Sequence, residues 1–400
     1  MFPGLYVLHG DDNSFFTRKL EAVLRHKRIA YRSAARPMGK DAIAERAGSH
    51  AIPALHTPED WVLRDSTPIA LLLDQRFPER PLLPNTPVQR IACRLFEEWI
   101  DEWFTRAAMY TRWEIPGTAE LMAQRFLAKG ILRRPLDELD QAERAAVTAS
   151  ARPLGAMLEN FMGRGTGERV ASTRETGADI PVWFEAFLVN LSRHLEDHDY
   201  LLGNSPCLAD FAFTGGAVAH FLNDPFPLEL IERVAPSVAR YVERCWDTPE
   251  TLGKWIADDA IPETWSPFWS EMARGFVPYL EGNRKALRDG DEWVPLDLGY
   301  GPTRMIAVPY REQSRMDVRD EILRLGADEQ AQLRQAIPSK VLDVYLLPGV
   351  LDLAHASGTG LFPPRSRAQG LRMQLTAMRA FIGLRLRLRG RRSAHPMPPT

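Results

Sequence analysis

The sequence has few cysteines: of its 400 residues only Cys93, Cys207 and Cys245 are cysteine, and they lie far apart. An odd and scattered set predicts reduced thiols, not a disulfide framework or a zinc site. The lack of a Cys-x-x-Cys pair argues against dithiol redox chemistry. No run of about 18 uncharged apolar residues occurs, so we expect no membrane-spanning helix. The first residues, MFPGLYVLHGDD, lack the basic segment and long apolar run of a signal peptide. We therefore expect a cytoplasmic protein.

Patterns of metal ligands are also scarce. His194 and His198 are four residues apart, a spacing that can bind a metal on a helix. Glu196 and Asp197 lie between them, at a predicted helix end, so we interpret this segment as charged surface. We expect no metal.

Acidic side chains are missing near the C-terminal end, where Arg365 to Arg392 include nine arginines and no acid. Because the chain has 50 basic and 52 acidic residues, the part before this tail is clearly acidic. The tail carries an apolar stripe with helical spacing at Leu371, Leu375, Met378 and Ile382. The next residues, 384–389, alternate Leu and Arg, which is typical of a strand. We expect residues 356–400 to be a flexible tail. It either contacts an anionic membrane or nucleic acid, folds across the acidic body, or stays disordered.

The first 84 residues have the pattern of a small α/β domain. Their apolar periodicity predicts a strand, a helix, a strand, two strands joined by a tight turn, and a helix. These elements fall at residues 5–9, 14–29, 29–33, 54–56, 61–63 and from 67 onward. The proline-rich stretch FPERPLLPNTP then predicts a linker.

The chain after the linker has mostly helical patterns. Its first long helix has an apolar stripe at Ile91, Leu95, Trp99, Trp103 and Ala107. Further helices are predicted at 140–162, 180–198, 209–222, 228–233 and 236–246. The glycine-rich stretch at 163–172 follows no strand and has no phosphate-loop lysine, so it predicts a plain loop. Residues 261–355, the third region, are mixed, with a strand at 305–308 and helices at 314–325 and 327–336.

Three short motifs lie at the ends of the N-terminal elements. Ser14 begins the first helix in NSFFTRK, Ile52-Pro53 precedes a strand, and Asp65-Ser66 begins the next helix. Together with the helical region behind them, they make residues 4–250 resemble the cytosolic glutathione transferases of the serine type. The resemblance implies a homodimer that uses glutathione as co-substrate.

The resemblance also implies an architecture. An α/β thioredoxin-like N-terminal domain is followed by an all-α glutathione-transferase-type C-terminal domain and a mostly helical extension. The expected boundaries are 1–84, 85–260, 261–355 for the third region, whose role is unknown, and 356–400 for the arginine-rich tail.

In this family a hydroxyl at a helix start lowers the pKa of the glutathione thiol, and Ser14 is the implied residue. The family pattern Ser-Pro-Phe-x-Arg-Lys is matched at Ser14, Phe16, Arg18 and Lys19, whereas Phe15 replaces the proline. The alternative is that Ser14 only caps the helix.

The other two motifs imply a glutathione-binding role. Pro53 resembles the cis-proline that turns the backbone of Ile52 toward a bound peptide; the alternative is a trans proline that starts a strand. Ser66 would cap a helix whose start binds the γ-glutamyl carboxylate, and Asp65 would hold the ligand's ammonium. His50 is a candidate for the glycyl carboxylate.

The electrophile is expected between the domains, at Phe15, Trp103, Tyr110 and Trp113, although the tryptophan stripe could equally be core. The leading hypothesis is an enzyme that uses the glutathione thiolate to attack a small hydrophobic electrophile. The alternative is a non-catalytic glutathione-transferase-like binding or scaffold protein.

Overall fold

The computed structural model describes residues 4–35, 41–350 and 367–392. The chain forms two compact units. Unit 1 consists of Met1–Ala108 and Ala178–Gly360, and unit 2 of Met109–Gly177 and Leu361–Thr400. The boundaries predicted at 84, 260 and 355 stay predictions.

The N-terminal part of unit 1 is the expected thioredoxin-like α/β domain. Its elements are β1 (Tyr6–Gly10), α1 (Phe15–His26), β2 (Tyr31–Ala35), α2 (Ala42–Ala47), β3 (Ala54–His56), β4 (Val62–Arg64) and α3 (Ser66–Arg76). The sheet order is β2-β1-β3-β4, with β1 parallel to β2 and antiparallel to β3, and β3 antiparallel to β4. The predicted strands and helices are therefore confirmed within a few residues. The short helix α2, which we did not predict, is capped by Asp41, whose carboxylate accepts from two backbone N–H groups.

The rest of the chain is mostly helical, as predicted. In chain order its helices are α4 (Pro87–Trp103), α5 (Thr105–Trp113), α6 (Thr118–Leu127), α7 (Gln141–Leu158), α8 (Gly167–Arg169), α9 (Ile180–Asp197), α10 (Leu208–Gly216), α11 (Pro225–Val234), α12 (Pro236–Trp246), α13 (Ser266–Glu271), α14 (Val277–Asp289), α15 (Pro309–Leu323), α16 (Ala327–Ala336), α17 (Ser339–Leu346) and α18 (Arg367–Arg392). No helix among the described residues is long and apolar enough to span a membrane.

Helix α4 lies at the centre of unit 1 and is buried over nearly its whole length, including its acidic residues. On one side it packs against α10, and on another against α15 and α16 of the third region. The ring of Phe96 lies 4.5 Å from the ring of Trp265, and the indole N–H of Trp265 donates to the carbonyl of Leu201 at 2.9 Å. The third region is thus built into the interior of unit 1.

Part of the third region is a β-hairpin. β5 (Trp293–Asp297) pairs antiparallel with β6 (Pro302–Ile306), which begins three residues before the predicted strand at 305. The predicted helices at 314–325 and 327–336 are confirmed as α15 and α16. Residues 351–355 lie outside the described part of the chain.

Two predictions in unit 2 are wrong. The glycine-rich stretch at 163–172 is not a plain loop, because π-helical turns extend α7 over Glu159–Thr166 and α8 follows at once. The Leu-Arg alternation at 384–389 is not a strand but part of α18. Ala380, Leu384 and Leu388 recur every fourth residue and pack on a core that includes Leu127 and Val147, so the helical period prevails. The remaining parts of the predicted tail, 356–366 and 393–400, lie outside the described residues.

The interpretation of His194 as surface charge is also wrong. His194 is fully buried, with Nδ1 2.7 Å from the hydroxyl of Thr264 and Nε2 3.0 Å from the carbonyl oxygen of Tyr200. Burial lowers its pKa to about 4. The imidazole therefore joins the end of α9 to two neighbouring segments as a neutral group.

Candidate functional site

The register of the sheet brings the three motifs to one edge. His9 pairs with Ala54, and Ala54 pairs with Arg64. The end of β1, the start of β3 and the end of β4 are therefore neighbours. The segments attached there contain Ser14, Ile52-Pro53 and Asp65-Ser66. Residues spread over more than 50 positions of sequence thus meet where two helices begin.

Ser14 is the N-cap of α1. Its backbone is extended, with φ −95° and ψ 122°, and its Oγ accepts from the backbone N–H of Thr17 at 3.3 Å. Asp11 fixes the preceding turn, because its carboxylate accepts from the backbone and side-chain N–H groups of Asn13 at 2.8 and 2.9 Å. No acceptor among the described residues takes the hydroxyl proton of Ser14. The half-buried hydroxyl therefore caps the helix and still has a proton to donate.

Phe15, predicted to border the electrophile pocket, is buried in the core of unit 1, with 4% of its surface exposed. Its ring packs against Phe16, His220 and Phe221. The fit depends on Gly216, since a Cβ there would lie 2.2 Å from the Phe15 ring. Phe15, which replaces the family's proline, thus packs between α1 and the end of α10.

The Ile52–Pro53 peptide bond is cis, as predicted. Pro53 is buried, and Ile52 is half-buried in the turn before β3. Within the described part of the chain, no group pairs with the backbone N–H or C=O of Ile52. These two groups are available to pair with an extended peptide.

Helix α3 begins at Ser66, which is buried, and its cap position is taken by Asp65. The expectation that Ser66 itself is the cap is therefore wrong by one residue. The backbone of Asp65 has φ +74°, a left-handed conformation that non-glycine residues seldom adopt and that often marks functional positions.

The carboxylate of Asp65 has a partner that no local sequence pattern indicates. Tyr310, at the start of α15, donates its hydroxyl to Asp65 Oδ2 at 2.5 Å. Burial raises the pKa of Asp65 above its ordinary value, while the Tyr310 hydroxyl and the charge of Lys19 oppose that rise. The third region therefore reaches the edge of the sheet at which the motifs meet.

A buried cluster of charged and polar side chains around Lys19 lies next to the start of α3. Lys19 is fully buried, and its ammonium contacts the carboxylates of Glu97 and Asp101 and, at 2.8 Å, the hydroxyl of Thr67. Burial alone would lower the pKa of Lys19, but the two carboxylates together raise it. We call these four residues the Lys19 cluster. Because Thr67 follows Ser66 directly, the cluster connects the start of α3 to α1 and α4. Lys19 matched the family pattern, but nothing local indicated its partners.

His50 lies in the turn after α2 and is exposed. The structure thus leaves its imidazole accessible to solvent near the segment that leads to Ile52.

The other predicted pocket residues fall in both units. Trp103, in unit 1, is a core residue with 1% of its surface exposed, and its ring lies against Phe276, Tyr279 and the guanidinium of Arg106. Trp103 therefore agrees with the alternative interpretation, in which the tryptophan stripe is part of the core.

Tyr110 and Trp113 belong to unit 2. Tyr110 is half-buried, and burial raises the pKa of its phenol. Trp113 lines a cavity of about 800 Å³ within unit 2, together with Glu114, Glu159, Arg164 and Arg174. A cavity of this size accommodates a small organic molecule.

Among the described residues, no three or more His, Cys, Asp or Glu side chains converge as metal ligands.

Residues 8–81 match the family model described as "Glutathione S-transferase, N-terminal domain". Among solved structures, a glutathione S-transferase from Rhodospirillum rubrum is 16% identical, with TM-score 0.40, over 65% of this chain and 98% of that one. A glutathione S-transferase from Methylobacterium radiotolerans in complex with glutathione sulfonate is 20% identical, with TM-score 0.37, over 64% and 99%. The β-etherase LigF from Sphingobium is 19% identical, with TM-score 0.42, over 61% and 96%. Over residues 8–81, this chain is therefore similar to the N-terminal domain of the glutathione S-transferase family.

Proposed function

We propose that this protein binds glutathione at the edge of the four-stranded sheet and activates its thiol with Ser14. The observation that carries the proposal is the meeting of three features at that edge. They are a capping hydroxyl whose proton has no acceptor in the described ranges, a backbone segment at Ile52 that is unpaired within the same ranges, and the start of a second helix with an acidic residue.

Ser14 has the two properties that stabilise a thiolate. Its hydroxyl can donate to a sulfur anion while its lone pair still holds the N–H of Thr17. It also lies at the N-terminus of α1, where the helix dipole favours negative charge. A thiol held there has a lowered pKa and becomes the nucleophile at neutral pH.

The rest of the tripeptide has complementary groups along the edge. The backbone of Ile52 would pair with the cysteinyl residue of glutathione as an added strand does. The N-terminal N–H groups of α3 at Ser66 would bind the γ-glutamyl carboxylate. Asp65 would hold the ammonium, and His50 the glycyl carboxylate.

The reaction we propose is attack of the bound thiolate on a small hydrophobic electrophile. Phe15 and Trp103 are buried in unit 1, so we do not propose them as contacts of the electrophile. The pocket roles expected for Tyr110 and Trp113 stay predictions. The homodimer that the resemblance implies and the cytoplasmic location expected from the sequence stay predictions.

Three variants of Ser14 separate catalysis from capping. Ser14→Ala removes the hydroxyl and the cap, Ser14→Asn removes the hydroxyl but keeps a good cap, and Ser14→Thr keeps both. Turnover of an aromatic chloride with glutathione should fall by about 10²-fold or more in the first two and stay within about tenfold in the third. The midpoint of thermal unfolding should fall only in Ser14→Ala. Equal turnover of the Asn variant and the wild type would refute the role of Ser14.

One observation favours the non-catalytic alternative. The carboxylate expected to hold the ligand's ammonium already accepts a hydrogen bond from Tyr310. If that contact leaves the ligand in an unreactive position, the wild-type protein will be retained on immobilised glutathione but will not turn over any electrophile of a diverse panel.

A further inference from the structure

Helix α18 presents two opposite apolar faces. One face packs on the core of unit 2, to which the helix itself belongs, through Ala377, Ala380, Phe381, Leu384 and Leu388. The other is exposed and consists of Leu375, Met378, Ile382 and Leu386, with 36%, 48%, 48% and 62% of their surfaces accessible. We call these four residues the outer stripe. A soluble helix normally has one apolar face, so the outer stripe is not explained by folding.

The outer stripe is narrow and continuous. At about 100° per residue its four side chains fall within roughly 80° of the helix circumference, almost opposite the packed face, and they extend for about 16 Å. Arg379 and Arg385, both exposed, fall just outside the stripe on its two sides. From Arg365 to Arg392 there are nine arginines and no acid. The exposed face is thus an aliphatic ridge with a cationic border.

We propose that the outer stripe docks this protein on an anionic lipid surface. In that arrangement the helix lies in the plane of the interface, the aliphatic side chains enter the acyl boundary, and the arginines contact lipid phosphates. The packed face already anchors α18 on unit 2, so docking needs no rearrangement of the helix.

Two other occupants fit this face less well. Pairing with a second copy would be isologous and would bring two arginine borders together with no acid to neutralise them. Single-stranded nucleic acid binds by stacking bases on aromatic rings, and the outer stripe contains no aromatic side chain. An anionic bilayer matches both the aliphatic ridge and the charge.

The test uses the full-length protein and sedimentation with vesicles of equal parts phosphatidylcholine and phosphatidylglycerol, with phosphatidylcholine vesicles for comparison. Binding should occur on the anionic vesicles and weaken at high salt. Ile382→Glu should weaken it by about tenfold or more. Arg379→Gln should weaken it by about fivefold and reduce the salt dependence.

The matched control is Val182→Glu, which places the same charge on α9 at a side chain that is 53% exposed. This variant should bind vesicles as the wild type does, and circular dichroism should show that both glutamate variants are folded. The proposal is overturned if the wild type does not bind anionic vesicles, or if Ile382→Glu binds as well as Val182→Glu. It is also overturned if the wild type binds only an oligonucleotide, or if sedimentation velocity shows a dimer that Ile382→Glu abolishes.

Discussion

Replacing Tyr310 by Phe removes one hydroxyl and leaves the ring. In the wild type that hydroxyl donates to Asp65 Oδ2 at 2.5 Å. A carboxylate has two oxygens with about four acceptor positions, so this bond leaves room for a ligand's ammonium and holds the carboxylate in one orientation. The donor also favours the ionised form of Asp65, which the ammonium requires. We therefore expect Tyr310→Phe to weaken glutathione binding.

The size of the effect follows from the type of hydrogen bond. A hydrogen bond to a charged group contributes about 1.5–3 kcal/mol when it is buried. Because Asp65 is only half-buried and water can replace part of the bond, we expect about 1–2 kcal/mol. That corresponds to a loss of roughly five- to thirty-fold in affinity.

Titration calorimetry with glutathione over a range of pH provides the assay. Affinity should fall as the pH drops through the pKa of Asp65, which burial raises above the ordinary value. In Tyr310→Phe the fall should begin at a higher pH, because the donor that stabilises the carboxylate is gone. Tyr300→Phe, at an exposed tyrosine in the turn between β5 and β6, is the matched control. Unchanged or tighter binding by Tyr310→Phe would show that the hydroxyl does not support the site.

Three further predictions concern stability. Lys19→Met should lower the free energy of unfolding by about 3–5 kcal/mol in urea, because it leaves the buried carboxylate of Asp101 without its cation and leaves Glu97 paired with Arg94 alone. Arg233→Ala, which breaks an exposed ion pair, should cost less than about 1 kcal/mol, and similar losses in the two variants would refute the burial argument. Phe15→Ala should cost about 3–5 kcal/mol in the same assay because it empties the space against Gly216, and a loss below about 1 kcal/mol would contradict that packing. Burial raises the pKa of Glu98 to about 8, so the free energy of unfolding should fall as the pH rises from the ordinary glutamate pKa to about 8. Glu98→Gln should lessen that fall. Parallel pH profiles of the variant and the wild type would refute the assignment.

Local patterns were sufficient to predict the N-terminal domain. The apolar periodicity of β1 and α1 and the capping residue at position 14 are features of adjacent residues, so they are readable without a structure. For these elements the information lies within one turn or one strand. The cis peptide before β3 has a different origin, because only the resemblance of Ile52-Pro53 to the glutathione transferases implies it.

The partners of these residues were not readable in the same way. Tyr310 is 245 residues from Asp65, and Glu97 is 78 residues from Lys19. No period or cap relates such positions, since their contact depends on how α4 and α15 pack. The expected pocket role of Trp103 failed for a related reason. Its place in the apolar stripe of α4 is correct, but Phe276 and Tyr279, which pack on its ring, belong to the third region. The stripe alone does not indicate how that region packs.

The acidic residues of α4 explain why the third region belongs to the same unit as the candidate site. Glu102 is buried, and its carboxylate accepts from the guanidinium of Arg311 at 2.7 Å. Arg94 is buried as well and donates to Glu321 at 3.0 Å. Both partners lie on α15, the helix that also carries Tyr310. Without α15, Glu102 would lose the guanidinium of Arg311, and Arg94 would keep only Glu97 of its two carboxylate partners. Asp65 would lose its hydroxyl donor. The helix that completes the ion pairs of α4 is therefore also the helix that reaches the candidate glutathione site. Deleting the third region would remove the support of α4 and the contact with Asp65 together.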